Sequence, residues 1–272
     1  MKISGTIIKL SLWLVVASLA LSCGGYSIKK NITAAERFEL AKRMFNNKDY
    51  FEAKTQFKIL TLNNPAANFI DAAQFYLAEC HFHLKEYIIA ADEYNRLERL
   101  YTKSEYLDDA GFKIGVCDYK LSPKPALDQK YTLEAVKHFQ QFLEDFPDSD
   151  LVPEAERLLL ICRTKLAEKD FKAGQLYRKL HNYTAALVYF DSVLNQYYDT
   201  KFADDALYWK GECLLKLRRI DESLATFNGL MAKFPTSKYR SKTKDRIARI
   251  HTKYKINQAA DGEAVIGNHT KN

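Results

Sequence analysis

Phe69-Ile-Asp-Ala-Ala-Gln-Phe-Tyr-Leu-Ala-Glu-Cys80 and Phe202-Ala-Asp-Asp-Ala-Leu-Tyr-Trp-Lys-Gly-Glu-Cys213 are two copies of one pattern, and the same register returns at Tyr106 to Cys117 and Leu151 to Cys162. Four cysteines therefore share one position of a repeat. Copies one repeat apart lie too far from each other for a disulfide, so each cysteine is expected to act as a small buried hydrophobe.

Around these anchors the chain spells out helical hairpins. Ala41, Tyr50, Ala53, Phe57 and Pro65 supply the small, turn-aromatic, small, aromatic and terminating positions of a tetratricopeptide repeat. Ala78, Tyr87, Ala90 and Tyr94 repeat them, with Thr102 in place of the proline. A third unit has Gly115, Ala135, Phe139 and Pro147; a fourth has Gly174, Tyr183, Ala186 and Phe190, ending at Tyr198. The fifth reads Gly211, Ile220, Ser223, Phe227 and Pro235. A bulky side chain at a small position would push the paired helices apart, and the aromatics fill the wedges between pairs. The third unit carries an insertion around Ser122-Pro-Lys-Pro125, read as a loop projecting from one edge. From Pro153 to Leu180 no turn is marked, which leaves one long helix or two with an unmarked join. Thr236 or Ser237 can cap a last helix to about Tyr254, covering the apolar end of the array.

Composition agrees with an all-α superhelix of about five repeats plus a C-terminal capping helix. Apolar residues make up 47% of the chain, only ten Gly and six Pro interrupt it, and no window alternates as a strand would. Residues 34–255 form the expected repeat domain, and 256–272, without periodicity, are expected to be disordered. The net charge of +7 is concentrated near the end, where nine Lys or Arg between Lys233 and Lys255 face only Asp245.

Leu19-Ala-Leu-Ser-Cys-Gly24 closes a short apolar run that follows Lys2 and Lys9, and it resembles a bacterial lipobox. The run is too short to span a bilayer but fits a secretory leader. Residues 1–22 are then a signal peptide and 23–33 a linker. The resemblance implies acylation of Cys23, which anchors the chain without inserting it. Gly24 after the cysteine implies the outer membrane, periplasmic face.

Residues 128–149, from Asp-Gln-Lys-Tyr-Thr-Leu-Glu-Ala-Val to Phe-Pro-Asp-Ser, followed by Leu166-Ala-Glu-Lys-Asp-Phe-Lys-Ala-Gly-Gln-Leu-Tyr-Arg-Lys179, resemble the outer membrane protein assembly factor BamD family. That resemblance, over roughly residues 33–255, implies a scaffold of the β-barrel assembly machinery. Its implied partners are a BamA-like barrel subunit, nascent β-barrel outer-membrane proteins and other assembly lipoproteins. Rival readings are a periplasmic coordinator of envelope division and a nutrient- or glycan-capturing lipoprotein.

Two surfaces are candidates for binding. Phe38 and Phe45, Phe75 and Phe82, and Phe112 and Tyr119 stand two helical turns apart in the first helices of three units, so each pair forms a stripe toward the inner curve. Such a groove can seat aromatic side chains of an extended segment at about 2 kcal/mol per ring. The alternative is that the rings are packing. Lys238, Arg240, Lys242, Lys244, Arg246, Arg249 and Lys253 form a basic run that can dock an acidic partner or remain a solvated face. Export leaves nucleic acid out. No phosphate loop, nucleophile elbow or converging metal ligands are visible, His81 and His83 included, so neither catalysis nor a cofactor is expected.

Overall fold

The computed structural model describes residues 32–254, so the leader, Cys23, most of its linker and the tail from Ile256 lie outside the described residues. The described residues hold eleven helices and no strand. Five hairpins follow one another: α1 (Ala34–Asn46) with α2 (Tyr50–Asn63), α3 (Ile70–His83) with α4 (Tyr87–Leu100), α5 (Leu107–Leu121) with α6 (Lys130–Asp145), α7 (Val152–Lys179) with α8 (Tyr183–Gln196), and α9 (Ala203–Lys216) with α10 (Ile220–Lys233). A final α11 (Arg240–Tyr254) packs on α10. We call the odd-numbered helices of the five pairs A and the even-numbered ones B. A helices of neighbouring units meet, as α1 does α3 and α7 does both α5 and α9, whereas neighbouring B helices make no comparable contact. The A helices therefore line the inner side of the curve.

One contact builds each hairpin: a B-helix ring seated on the small residue of its A helix. A Cβ added to Gly115 would meet the Phe139 ring at 2.7 Å, one on Gly174 the Phe190 ring at 2.7 Å, and one on Gly211 the Phe227 ring at 2.5 Å. The three rings are fully buried and have nowhere to retreat. A second ring, three residues before each small position, leans on the first. Phe38–Phe57, Phe75–Tyr94, Phe112–Phe139, Phe171–Phe190 and Tyr208–Phe227 have centroids 6.0, 5.9, 6.0, 5.9 and 6.1 Å apart.

That second ring also reaches the next unit. Phe38 stacks on Phe69, Phe75 on Tyr106 and Tyr208 on Tyr239, at 4.9, 4.6 and 4.2 Å, and Phe171 lies tilted against Phe202 at 5.4 Å. Phe69, Tyr106 and Phe202 are the residues just before α3, α5 and α9. In the same turns a serine ties units together. Ser104, Ser149 and Ser237 donate to Asp71, Asp108 and Asp204 at 2.8, 2.9 and 2.7 Å, while each hydroxyl accepts the N–H two residues on.

Turns repeat as faithfully as helices. The A-to-B turns of units one, two, four and five pass through a left-handed residue, Lys48, Lys85, His181 or Arg218, with φ of 67°, 63°, 59° and 61°. Their amides and those that follow return to carbonyls of the A helix's last turn, which compensates a conformation costing a non-glycine residue about 1 kcal/mol. B helices end alike with or without proline. Asn64, Tyr101, Phe146, Tyr197 and Phe234 all leave the helix with φ between −126° and −133°.

Small positions recur every 37 residues, except for a step of 59 between Gly115 and Gly174. Eight of the extra 22 precede Ala135; the other fourteen lengthen α7 by close to four turns, so Gly174 keeps its facing. α7 is thus one helix of 28 residues with two jobs. Ala155, Leu158 and Cys162 close the core of the third unit, and Leu166 and Ala167 open that of the fourth. The Pro-Lys-Pro loop lies against this helix instead of projecting freely: Lys165 Nζ donates to Ser122 Oγ at 2.6 Å and Lys169 Nζ to the Leu127 carbonyl at 3.0 Å. Thr236 and Ser237 do not cap the last helix. α11 begins only at Arg240, and the Ser237 hydroxyl is committed to Asp204 and the Tyr239 amide.

Gly211→Ala tests the hairpin contact by sign. At an unconstrained helix site the change stabilises by about 1 kcal/mol; against the immovable Phe227 ring it should destabilise by about 1–3 kcal/mol in urea unfolding.

Candidate functional site

The six aromatic candidates separate into two rows. Phe38, Phe75 and Phe112 are each only 8% exposed: each leans on a ring of its own B helix, and Phe38 and Phe75 also stack on the following unit. They belong to the core, Phe112 through Phe139, Phe142 and the cluster they form with Ala155 and Leu158. Phe171 and Tyr208 hold the same position in units four and five, at the same spacing from Gly174 and Gly211, and were missed by a reading confined to pairs seven apart.

Phe45, Phe82 and Tyr119 are half-buried and end on the inner, A-to-B side. Phe45 packs edge-on to Tyr50, Tyr76 and His83, while His83 lies flat on Tyr50 with ring centroids 4.4 Å apart. Phe82 meets Tyr87, and the Lys113 ammonium sits 4.5 Å over its ring. The same ammonium is 2.7 Å from Glu79, which also accepts the Tyr94 hydroxyl. Tyr119 lies beneath Lys165 at 5.8 Å. Units one to three thus present an aromatic surface on which Lys113 is paired with Glu79 and Lys42 and Lys165 lie over rings. At the equivalent position units four and five have Arg178 and Leu215, and Arg178 stacks 4.0 Å over Trp209.

The basic candidates also divide. Lys242, Arg246, Arg249 and Lys253 are spaced four, three and four apart and form a single stripe on α11. They stand one 37-residue step beyond Asp205, Trp209, Glu212 and Lys216, so the stripe continues the inner face of the A helices. Arg246 closes on Glu212 at 2.7 Å, the counterpart near the C-terminal end of Lys113 on Glu79. Lys242, Arg249 and Lys253 are exposed. Lys238 is bound to Asp205 at 2.8 Å, and Arg240 donates to the Met231 carbonyl at 3.2 Å. Lys244 is exposed on the other flank of the helix. The inner surface is therefore aromatic at its N-terminal end and cationic at its C-terminal end.

Cys80, Cys117, Cys162 and Cys213 are all buried free thiols. Burial pushes the first two up to about 12 and the others to about 11, which keeps them protonated and unreactive. His81 is held by Glu86 and His83 by its ring contacts. Among the described residues no three His, Cys, Asp or Glu side chains are grouped to hold a metal, and no helix is long and apolar enough to cross a membrane.

Hairpins of this register stacked in one curve define a tetratricopeptide-repeat array, and residues 205–237 match the tetratricopeptide repeat family itself. Residues 30–219 match the outer membrane lipoprotein family, to which the chain belongs. A curated relative, the outer membrane protein assembly factor BamD of Rickettsia prowazekii (strain Madrid E), is 27% identical over 114 residues, which cover 42% of this chain and 45% of the relative. The matched stretch thus spans less than half of that protein. Among solved structures, the TPR2AB domain of yeast Sti1 in a complex with pHSP90 is 16% identical, covering 82% of this chain and 84% of its own at a TM-score of 0.39. A tetratricopeptide protein of Thermus thermophilus is 15% identical, covering 81% and 100%, at 0.34.

Substitution separates the two aromatic rows. Phe75→Ala should cost about 3–5 kcal/mol of unfolding free energy because it empties a core wedge, whereas Phe82→Ala should cost less than half as much. Equal losses would place both rings in the core.

Proposed function

We propose that the protein is a lipid-anchored scaffold of the outer-membrane β-barrel assembly machinery, working by binding alone. The observation that carries this reading is membership of the outer membrane lipoprotein family across 190 residues of a curved repeat array. In this reading residues 1–22 are a cleaved leader and Cys23 carries the acyl chains. The repeat domain stands in the periplasm on a linker of residues 23–33. The curated relative's description as an assembly factor supports the same role.

The inner surface offers two kinds of contact. Phe45, Phe82 and Tyr119, with Tyr76 and His83 between them, suit an extended segment carrying aromatic side chains, such as a strand of an unfolded barrel protein. Lys242 and Arg249 suit an acidic surface on a folded subunit of the BamA type. Their charges lie on an exposed helix and act chiefly through long-range attraction and orientation, so the contact should weaken with salt.

Affinity purification from gently solubilised outer membranes should recover a BamA-like barrel protein, and recovery of division proteins or a nutrient transporter in its place would contradict the assignment. Cys23→Ala should move the protein from membranes to the soluble fraction once they are washed with high salt, which leaves an acyl anchor in place; retention through that wash would count against acylation at that residue.

A further inference from the structure

Because A and B helices alternate in direction, every A-to-B turn opens on one rim of the array and every B-to-A turn on the other. The two rims differ in chemistry. At the B-to-A rim the A helices start with acids, Asp71, Asp108 and Asp204 among them, joined by Asp148, Asp150 and Asp199 in the turns. At the A-to-B rim the last inward turn of the A helix carries lysine four times in succession. Lys120, Lys179 and Lys216 each lie five residues after their unit's glycine, and Lys253 lies one 37-residue step further on α11. All four are exposed. Lys120 and Lys253 lie only over the rings of Tyr119 and Tyr254, at 6.0 and 5.6 Å, and none of the four has an acidic partner among the described residues. The left-handed turn residues Lys48, Lys85 and Arg218 add to the same rim.

Apolar side chains share it. Phe51, Ile88 and Leu133 stand two residues before Ala53, Ala90 and Ala135, in the first turns of three successive B helices, and are 63%, 61% and 53% exposed. At this position units four and five have Thr184 and Asp221. The rim thus runs from exposed apolar groups in units one to three to unpaired lysines in units three to five and the cap. An acidic protein surface accounts for the lysines but leaves a repeated row of large apolar groups in water. An anionic bilayer surface accounts for both, since headgroup phosphates attract the lysines and the acyl boundary accepts the rings and aliphatic chains.

We propose that the A-to-B rim rests on an anionic phospholipid surface. The proposal builds on the tether at Cys23 and is compatible with its length. α1 starts at the opposite rim and is thirteen residues, about 20 Å, long. The eleven residues from Cys23 to Thr33 can extend to about 36 Å, enough to return past it.

The test uses the mature chain with Cys23→Ser, so that no acyl chain contributes, in co-sedimentation with vesicles of phosphatidylethanolamine and phosphatidylglycerol or of phosphatidylcholine alone. Binding to the anionic vesicles only, released by high salt, is the expected result. Lys120→Glu, Lys179→Glu, Lys216→Glu and Lys253→Glu together should lower that affinity by about tenfold or more. Phe51→Ser with Ile88→Ser and Leu133→Ser should lower it while leaving the salt dependence. These sites are exposed, and an unchanged circular dichroism melt verifies the fold. Equal binding to both vesicle types, no binding, or undiminished binding by the lysine variant would overturn the proposal. So would a lysine variant that keeps its vesicles but loses a co-purified barrel protein, which would make the rim a protein-docking surface. The tether reading is judged separately, by whether the wild-type chain, but not Cys23→Ala, stays with membranes washed in high salt.

Discussion

The seating of a B-helix ring on a small A-helix residue is the constraint on which the rest of this structure depends. At Gly174 and Gly211 even a methyl group would enter the ring's space, so the two helices are as close as backbone and benzene ring allow. That closeness fixes the facing of the A helix and places the next ring, three residues earlier, at the junction between units. From there it reaches the aromatic residue that opens the following A helix. At four of the five junctions hairpin formation and hairpin stacking are thus consecutive steps of one aromatic chain, and between the third and fourth units Phe112 rests on Phe139 and Phe142 in an apolar cluster with Leu151, Ala155 and Leu158; serine-to-aspartate hydrogen bonds reinforce three of the turns. In a quasi-one-dimensional array each unit buries its face only against its neighbours, and such a chain is what makes the stack continuous.

Because the core is used up in this way, function falls to what remains on the inner curve and the rims. The A helices carry one inward stripe per unit, and its composition changes along the array while the packing positions do not. Aromatic near the N-terminal end, it becomes cationic on α11. The long α7 sits at the transition, with its first half belonging to the third unit and its second to the fourth. An array built this way can offer different partners different ends of one continuous surface without moving any part of its core.

Much of this was legible from the sequence, for a physical reason. Small and aromatic residues at fixed spacing report a contact within one hairpin, and the cysteines at one repeat position report burial. Both are local. What the sequence did not disclose is set by neighbours in space. Seven-residue spacing puts Phe75 and Phe82 on one stripe, yet only the closure of the next unit, through Tyr106, decides that Phe75 is core and Phe82 is rim. Phe69, Tyr106 and Phe202 open copies of the repeat pattern, but only the neighbouring unit shows them, with Tyr239, to be ring partners across the junctions. Ser237 looked like a helix cap and is an inter-unit tie. The single α7 was undecidable because continuity leaves no residue signature, whereas a turn would have.

The claim that the inner A-helix face is the working surface can be examined directly by photo-crosslinking in living cells. A photoreactive phenylalanine analogue would replace, one at a time, Tyr76, Lys172 or Arg249 on the inner face, or Leu62, Leu100 or Val188 on exposed B-helix positions. The account predicts adducts with the barrel subunit or with unfolded barrel proteins from the inner positions and few from the B-helix ones. Adducts confined to the B-helix positions would contradict it.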